Sequence, residues 1–83
     1  MGLDYTRLHG LTARELISAL IRDGFVLDRQ AGSHRLYLHE DGRRVTVSYH
    51  ASGETFRRKT LKAMLELQAN WTEGDLKRLR LVT

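Results

Sequence analysis

Residues 25–50 read FVLDRQAGSHRLYLHEDGRRVTVSYH, and this stretch decides the fold because apolar and polar side chains alternate through it with a period of two. Turn residues divide it into three strands: FVLDRQ (25–30), HRLYLH (34–39) and RRVTVSY (43–49). Ala31-Gly32-Ser33 closes the first hairpin and Glu40-Asp41-Gly42 the second, Asp-Gly being a strong hairpin signal. Links this short imply an antiparallel meander, since parallel strands need long crossovers. Alternation predicts that Leu36 and Leu38, with Val45, Val47 and Tyr49, form the buried face, while Arg35, Tyr37, Arg44 and Thr46 point outward.

Outside the strands the period becomes helical. In LTARELISALIRDGF (11–25), Thr12 and Glu15 make a capping box, and Leu11 and Leu16 can form a hydrophobic staple. Ala13, Leu16, Ile17, Leu20 and Ile21 supply one apolar stripe, and Gly24 can take the left-handed conformation that ends the helix. ASGETF (51–56) reads as a loop. Leu61, Met64, Leu65 and Gln68 then follow helical spacing up to Asn70, a left-handed stop, and Thr72 with Asp75 starts a short last helix carrying Leu76 and Leu79. The expected architecture is α+β: three antiparallel strands with two helices on one face, in the order α-β-β-β-α, plus a short C-terminal helix. Residues 1–83 are expected to be one domain, since no repeat, linker or low-complexity segment divides them.

At 41% hydrophobic and 29% charged, the composition is that of a globular chain, and no run approaches the roughly 18 apolar residues of a membrane span. The absence of cysteine excludes disulfides, thiolate metal sites and cysteine nucleophiles, and fits a cytoplasmic location. The start, MGLDYTRLHG, has no apolar core of a secretory signal; Gly2 and Thr6 fit the loose myristoylation pattern, which is expected to be chance. A net charge of +4, with clusters at Arg43-Arg44, Arg57-Arg58-Lys59 and Lys77-Arg78, suggests a polyanionic partner. The same clusters also fit solvated surfaces.

His34 is the sharpest chemical feature. Gly32 and Ser33 let the backbone approach a ligand, and a strand-held imidazole can transfer protons near neutral pH. Sharing a face with Leu36 and Leu38, it can equally be a core-edge histidine bonded to a helix terminus, the reading favoured by the residues alone. His39 and His50 do not complete a metal triad, because His34 and His39 have opposite strand parity; no metal and no cofactor are expected. Trp71, following a helix stop, is assigned to packing. Lys59 and Thr60 open the second long helix, where cations, a hydroxyl and backbone N–H groups can meet an anion.

LTARELISALIRDGFVLDRQAGSHRLYLHEDGRRVTVSYH together with KTLKAMLELQANWT resembles the HicA family of toxin ribonucleases, the small partners in HicA–HicB toxin–antitoxin pairs. The resemblance runs from about Leu11 to Leu76. It is carried by Asp23-Gly24-Phe25, Gly32-Ser33-His34, Asp41-Gly42-Arg43, the valine strand ending near His50, and Thr60-Leu61. It implies a fold similar to the double-stranded-RNA-binding domain, cleavage of messenger RNA and a HicB-like antitoxin, with His34 as the catalytic residue. The residues expected to meet RNA are Gly32, Ser33, Arg43, His50, Arg57, Arg58 and Lys59. The alternative is a non-catalytic RNA-binding module of the same fold. The chain departs from the family pattern where Arg57-Arg58-Lys59-Thr60-Leu61 replaces a Lys-Pro-Gly-Thr-Leu run, where a proline before His50 is missing, and where the helix before Asn70 is one residue longer.

Overall fold

The computed structural model describes residues 3–8 and 10–82; the lipidation pattern at Gly2 lies outside them. A 3-10 turn (Tyr5–Leu8) leads to α1 (Ala13–Arg22), then β1 (Val26–Ala31), β2 (His34–Leu38) and β3 (Arg44–Ser48). The second long helix begins as α2 (Arg58–Lys62), continues as a π-helical segment (Ala63–Gln68), and is followed by α3 (Glu73–Arg78). The strands form one antiparallel sheet in the order β1-β2-β3. This is the α-β-β-β-α arrangement of a double-stranded-RNA-binding-like fold. Among the described residues, no helix is long and apolar enough to cross a membrane.

The capping signals act as read. The Thr12 hydroxyl accepts from the Glu15 N–H while the Glu15 carboxylate accepts from the Thr12 N–H, a pair typically worth about 1 kcal/mol. The helix also gains a cap invisible in its own sequence: Ala13 and Arg14 donate their N–H groups to the carbonyls of Glu54 (2.8 Å) and Ser52 (3.0 Å) in the 51–56 loop. At the other end, Gly24 at φ +103° lets Phe25 N–H reach the Leu20 carbonyl and its own N–H reach that of Ile21, a Schellman motif.

β2 corrects one expectation. Tyr37 lies opposite Val45 and Arg35 opposite Val47, so these four side chains share the face on which the helices pack. Val45 and Val47 are fully buried and Tyr37 nearly so. Leu36 and Leu38 therefore turn to the open face with Thr46 and Arg44, and His34 goes with them. The alternation was right but its phase was not, and a shift of one residue exchanges every side chain between faces. The large, half-apolar tyrosine ring fills more of the core than either leucine could. On β3 the expected inward set, Val45, Val47 and Tyr49, is the one observed, with Tyr49 packed at the core's margin.

Two more elements differ from expectation. Leu3, Tyr5 and Leu8 join the core from the N-terminal turn, which periodicity did not reveal. In the second long helix Leu61, Met64 and Leu65 are buried, but the next core residue is Ala69, whose N–H reaches back five residues to the Met64 carbonyl (2.8 Å). The π segment widens the helix to bonds that span five residues, as π-bulges do. It frees Gln68 from the apolar face, and its side-chain oxygen accepts the N–H of Thr46 (2.8 Å) at the outer edge of β3. Asn70, at φ 59°, is the left-handed stop, and Thr72 with Asp75 forms the second capping box.

Asp23 draws the ends of these elements together. Its side chain is only 6% exposed. It accepts from Trp71 Nε1 (2.8 Å), Arg43 Nη1 (3.0 Å) and Arg78 Nη2 (2.8 Å). Burial pushes its carboxyl up, but the bonds from Trp71 and Arg78 and the Arg43 charge outweigh this and hold it below the usual carboxylate range. Such a group lends stability that is fully present above the unfolded value, near 3.9, and is lost as pH falls through the lower folded value. Asp23→Asn is therefore expected to lower unfolding free energy by roughly 2 kcal/mol at neutral pH, the scale of hydrogen bonds to charged groups. In denaturation at several pH values, the gap to wild type should be constant from about pH 5 upward and should close below about pH 4.

Candidate active site

His34 and His39 begin and follow the same strand, and their surroundings are opposite. His39 is half-buried behind the end of α1. Its Nε2 lies 2.8 Å from the Asp23 carbonyl, which can only accept, so this nitrogen carries the proton. Nδ1 lies 3.1 Å from the Asp41 N–H and 3.0 Å from the Asp41 carboxylate, and the ring meets Phe25 edge-on at 5.1 Å. A Cβ placed on Gly24 would come within 2.9 Å of His39 Nε2, so the glycine is needed for this packing as well as for its backbone angle. The histidine bonded to a helix terminus is thus His39, not His34.

His34 is exposed on the open face of the sheet. It pairs across the ladder with Ala31 on one side and Ser48 on the other. Among the described residues its imidazole makes no hydrogen bond or ion pair. The backbone around it is fixed by a two-residue turn, Gly32-Ser33, in which Gly32 sits at φ 59°. Arg35, on the helix side of the sheet, lies over the Tyr49 ring at 4.0 Å and donates to the Ser33 (3.2 Å) and Tyr49 (3.3 Å) carbonyls. Tyr49 N–H also donates to Ser33 O at 3.2 Å. The turn that presents His34 is therefore bound to the end of β3, although nothing in the sequence pattern singled out Arg35.

The structure brings Gly32, Ser33, His34 and His50 to one end of the sheet. His50 is exposed just beyond β3, its N–H held by the Glu54 carboxylate at 2.8 Å. Arg57, Arg58 and Lys59 are exposed at the start of α2, after the loop that leaves this end. Arg43 belongs elsewhere. It follows the β2–β3 turn, at the opposite end of β2 from His34, and its guanidinium is taken up by Asp41 (2.8 Å), Asp23 (3.0 Å) and the Ala69 carbonyl (2.7 Å), over the Phe25 ring. Trp71 packs in the core as expected and its N–H serves Asp23. Among the described residues, no three His, Cys, Asp or Glu side chains come together as a metal-binding group.

The three-stranded sheet and its one-sided helices define a small α+β domain of double-stranded-RNA-binding-like form. Residues 13–70 match the HicA toxin family, described as HicA toxin of bacterial toxin–antitoxin. The match spans more than half of the chain, and the chain belongs to this family: it is a toxin of a toxin–antitoxin system. No curated protein gives a significant match.

The contrast between the two histidines predicts opposite effects on stability. His39→Ala removes a hydrogen bond and a ring contact and is expected to cost about 1.5–3 kcal/mol in denaturant unfolding. His34→Ala should stay within about 0.5 kcal/mol of wild type, as surface substitutions do.

Proposed function

We propose that this toxin is a metal-independent endoribonuclease acting on messenger RNA in the cytoplasm, that residues 1–83 form one such domain, and that a HicB-like antitoxin holds it inactive. The observation that carries this reading is the unpartnered, exposed imidazole of His34 on a rigid turn, while His39 performs the structural work a strand-end histidine could do. A binding module would need the cations and the fold, but not a free imidazole held in place.

In the proposed reaction His34 removes the proton of a ribose 2′-OH as that oxygen attacks the adjacent phosphorus. The new O2′–P bond replaces the P–O5′ bond, leaving a 2′,3′-cyclic phosphate on one fragment. The departing 5′-oxygen takes a proton from water and becomes a hydroxyl, and the hydroxide so formed takes back the proton held by His34. Gly32 and Ser33 allow the RNA backbone to come close to the imidazole, and His50 lies at the same end of the sheet to meet the strand. Arg57 and Lys59 hold phosphates along the chain, and with Arg58 they reduce the charge that repels the attacking oxygen. Arg43, committed to Asp23 and Asp41, supports the fold and takes no part in RNA contact in this scheme.

His34→Ala is expected to abolish RNA cleavage and growth arrest on expression, by at least the 10²–10⁴-fold that general acid–base groups contribute, with the fold and antitoxin binding intact. Cleavage by wild type should survive EDTA unchanged. Equal cleavage by the purified folded variant, or restoration of an EDTA-abolished activity by one divalent ion, would contradict the proposal.

A further inference from the structure

The N-terminal turn does more than complete the core. Tyr5 and Thr6 lie outside residues 13–70, the part matched by the family, yet they wall a cleft of about 370 Å³ with Phe56, Arg58 and Leu61. That volume falls in the range of small-ligand sites. Its surfaces are of three kinds. The Tyr5 and Phe56 rings and Leu61 make an apolar floor, the Arg58 guanidinium lies 5.6 Å over the Tyr5 ring, and the exposed Thr6 hydroxyl stands at the rim.

The floor is held rigid. Tyr5 is 9% exposed and its hydroxyl donates to the Glu66 carboxylate, which also accepts the Leu3 N–H at 3.4 Å. Thr6 is fixed by Asp4, which accepts from its N–H (3.1 Å) and its hydroxyl (2.5 Å). With its proton on Asp4, the Thr6 oxygen offers a ligand lone pairs only. Arg57 and Lys59, the chain neighbours of Arg58, are exposed as well, so the planar apolar interior is lined by the middle residue of a cationic run.

We infer that this cleft is a subsite for one unpaired nucleobase of a single-stranded RNA, the base lying against Phe56 and the Arg58 guanidinium while Arg57 and Lys59 hold the flanking phosphates. Aromatic and guanidinium planes accept any base by its π-face, and cations beside them track the backbone. A peptide partner would use the aromatic floor but has no need of three consecutive cations around it. The subsite presupposes the RNA substrate proposed above and adds where a second part of that strand is held. Phe56 lies eight positions along the chain from Ser48, the cross-strand partner of His34, which limits their separation to about 28 Å. A short oligonucleotide can therefore meet both.

The test uses the wild-type chain and a 2′-O-methyl oligonucleotide, which cannot be cut by 2′-OH attack, with abasic sites placed at each position in turn. Affinity is read by fluorescence anisotropy at fixed salt. One abasic position is expected to weaken binding about 5- to 150-fold, the range of a single base–aromatic stack. Phe56→Ala should lose a similar factor with the intact oligonucleotide and become indifferent to that abasic position. Because Phe56 packs against the core, Thr6→Trp provides a second variant: it fills the cleft from an exposed position, and the same loss is expected with an unchanged circular dichroism spectrum. Normal affinity in folded Phe56→Ala and Thr6→Trp proteins, beside His34-dependent cleavage by wild type, would overturn the subsite alone. Wild type that neither binds nor cuts RNA would overturn the ribonuclease proposal and the subsite with it. Variants that keep RNA affinity but lose the antitoxin would assign the cleft to the protein partner, against the inference.

Discussion

The carboxylate of Asp23 is the point on which the other elements converge. It lies at the end of α1, receives Arg43 from the β2–β3 turn, and takes the Trp71 indole and Arg78 from the C-terminal part of the chain. The next two residues extend the same junction. Gly24 leaves room for the His39 ring, and Phe25 stacks on that ring edge-on and under the Arg43 guanidinium. The run Asp23-Gly24-Phe25 thus has one physical explanation: a charge to collect donors, a missing Cβ, and a ring to close the corner. Buried charge is tolerable here because Trp71, Arg43 and Arg78 all donate to it and two of them are cations.

That corner takes up His39 and Arg43, whereas the His34 side chain lies outside it, at the opposite end of β2. His34 stands on a face that no described element covers, beside Leu36 and Leu38, which are half-exposed there. Arg35 reaches through to the other face and ties the turn to β3. The role proposed for His34 needs a group both accessible and fixed, and different residues meet the two demands: the turn gives access and Arg35 ties that turn in place. Family membership establishes a toxin of a toxin–antitoxin system, and the proposed chemistry assigns this end of the sheet its task.

Local signals in the sequence carried most of the architecture. The two capping boxes, the glycine stop and the Asp-Gly turn each depend on interactions within a few residues, and each is present as read. What the sequence concealed depends on partners far along the chain. The phase of β2 is set by Val45 and Val47 across the ladder, and HRLYLH alone favours the wrong face because it offers two leucines against one tyrosine. The same error made His34 look structural and left His39 without a structural role. Arg43 looked like a free cation because Asp23 and Ala69, twenty or more residues away, take up its donors. The π segment and the N-terminal turn likewise follow from packing and not from periodicity. The resemblance pointed to His34 through Gly32-Ser33-His34; the open face and the unpartnered ring support that choice on independent physical grounds.

The division of labour between the two histidines is tested most directly by imidazole ¹⁵N–¹H NMR during titration with a 2′-O-methyl oligonucleotide. His34 ring signals are expected to move saturably as the RNA binds, while those of His39 remain in place with the proton on Nε2. Movement of His39 with His34 unperturbed would contradict the account.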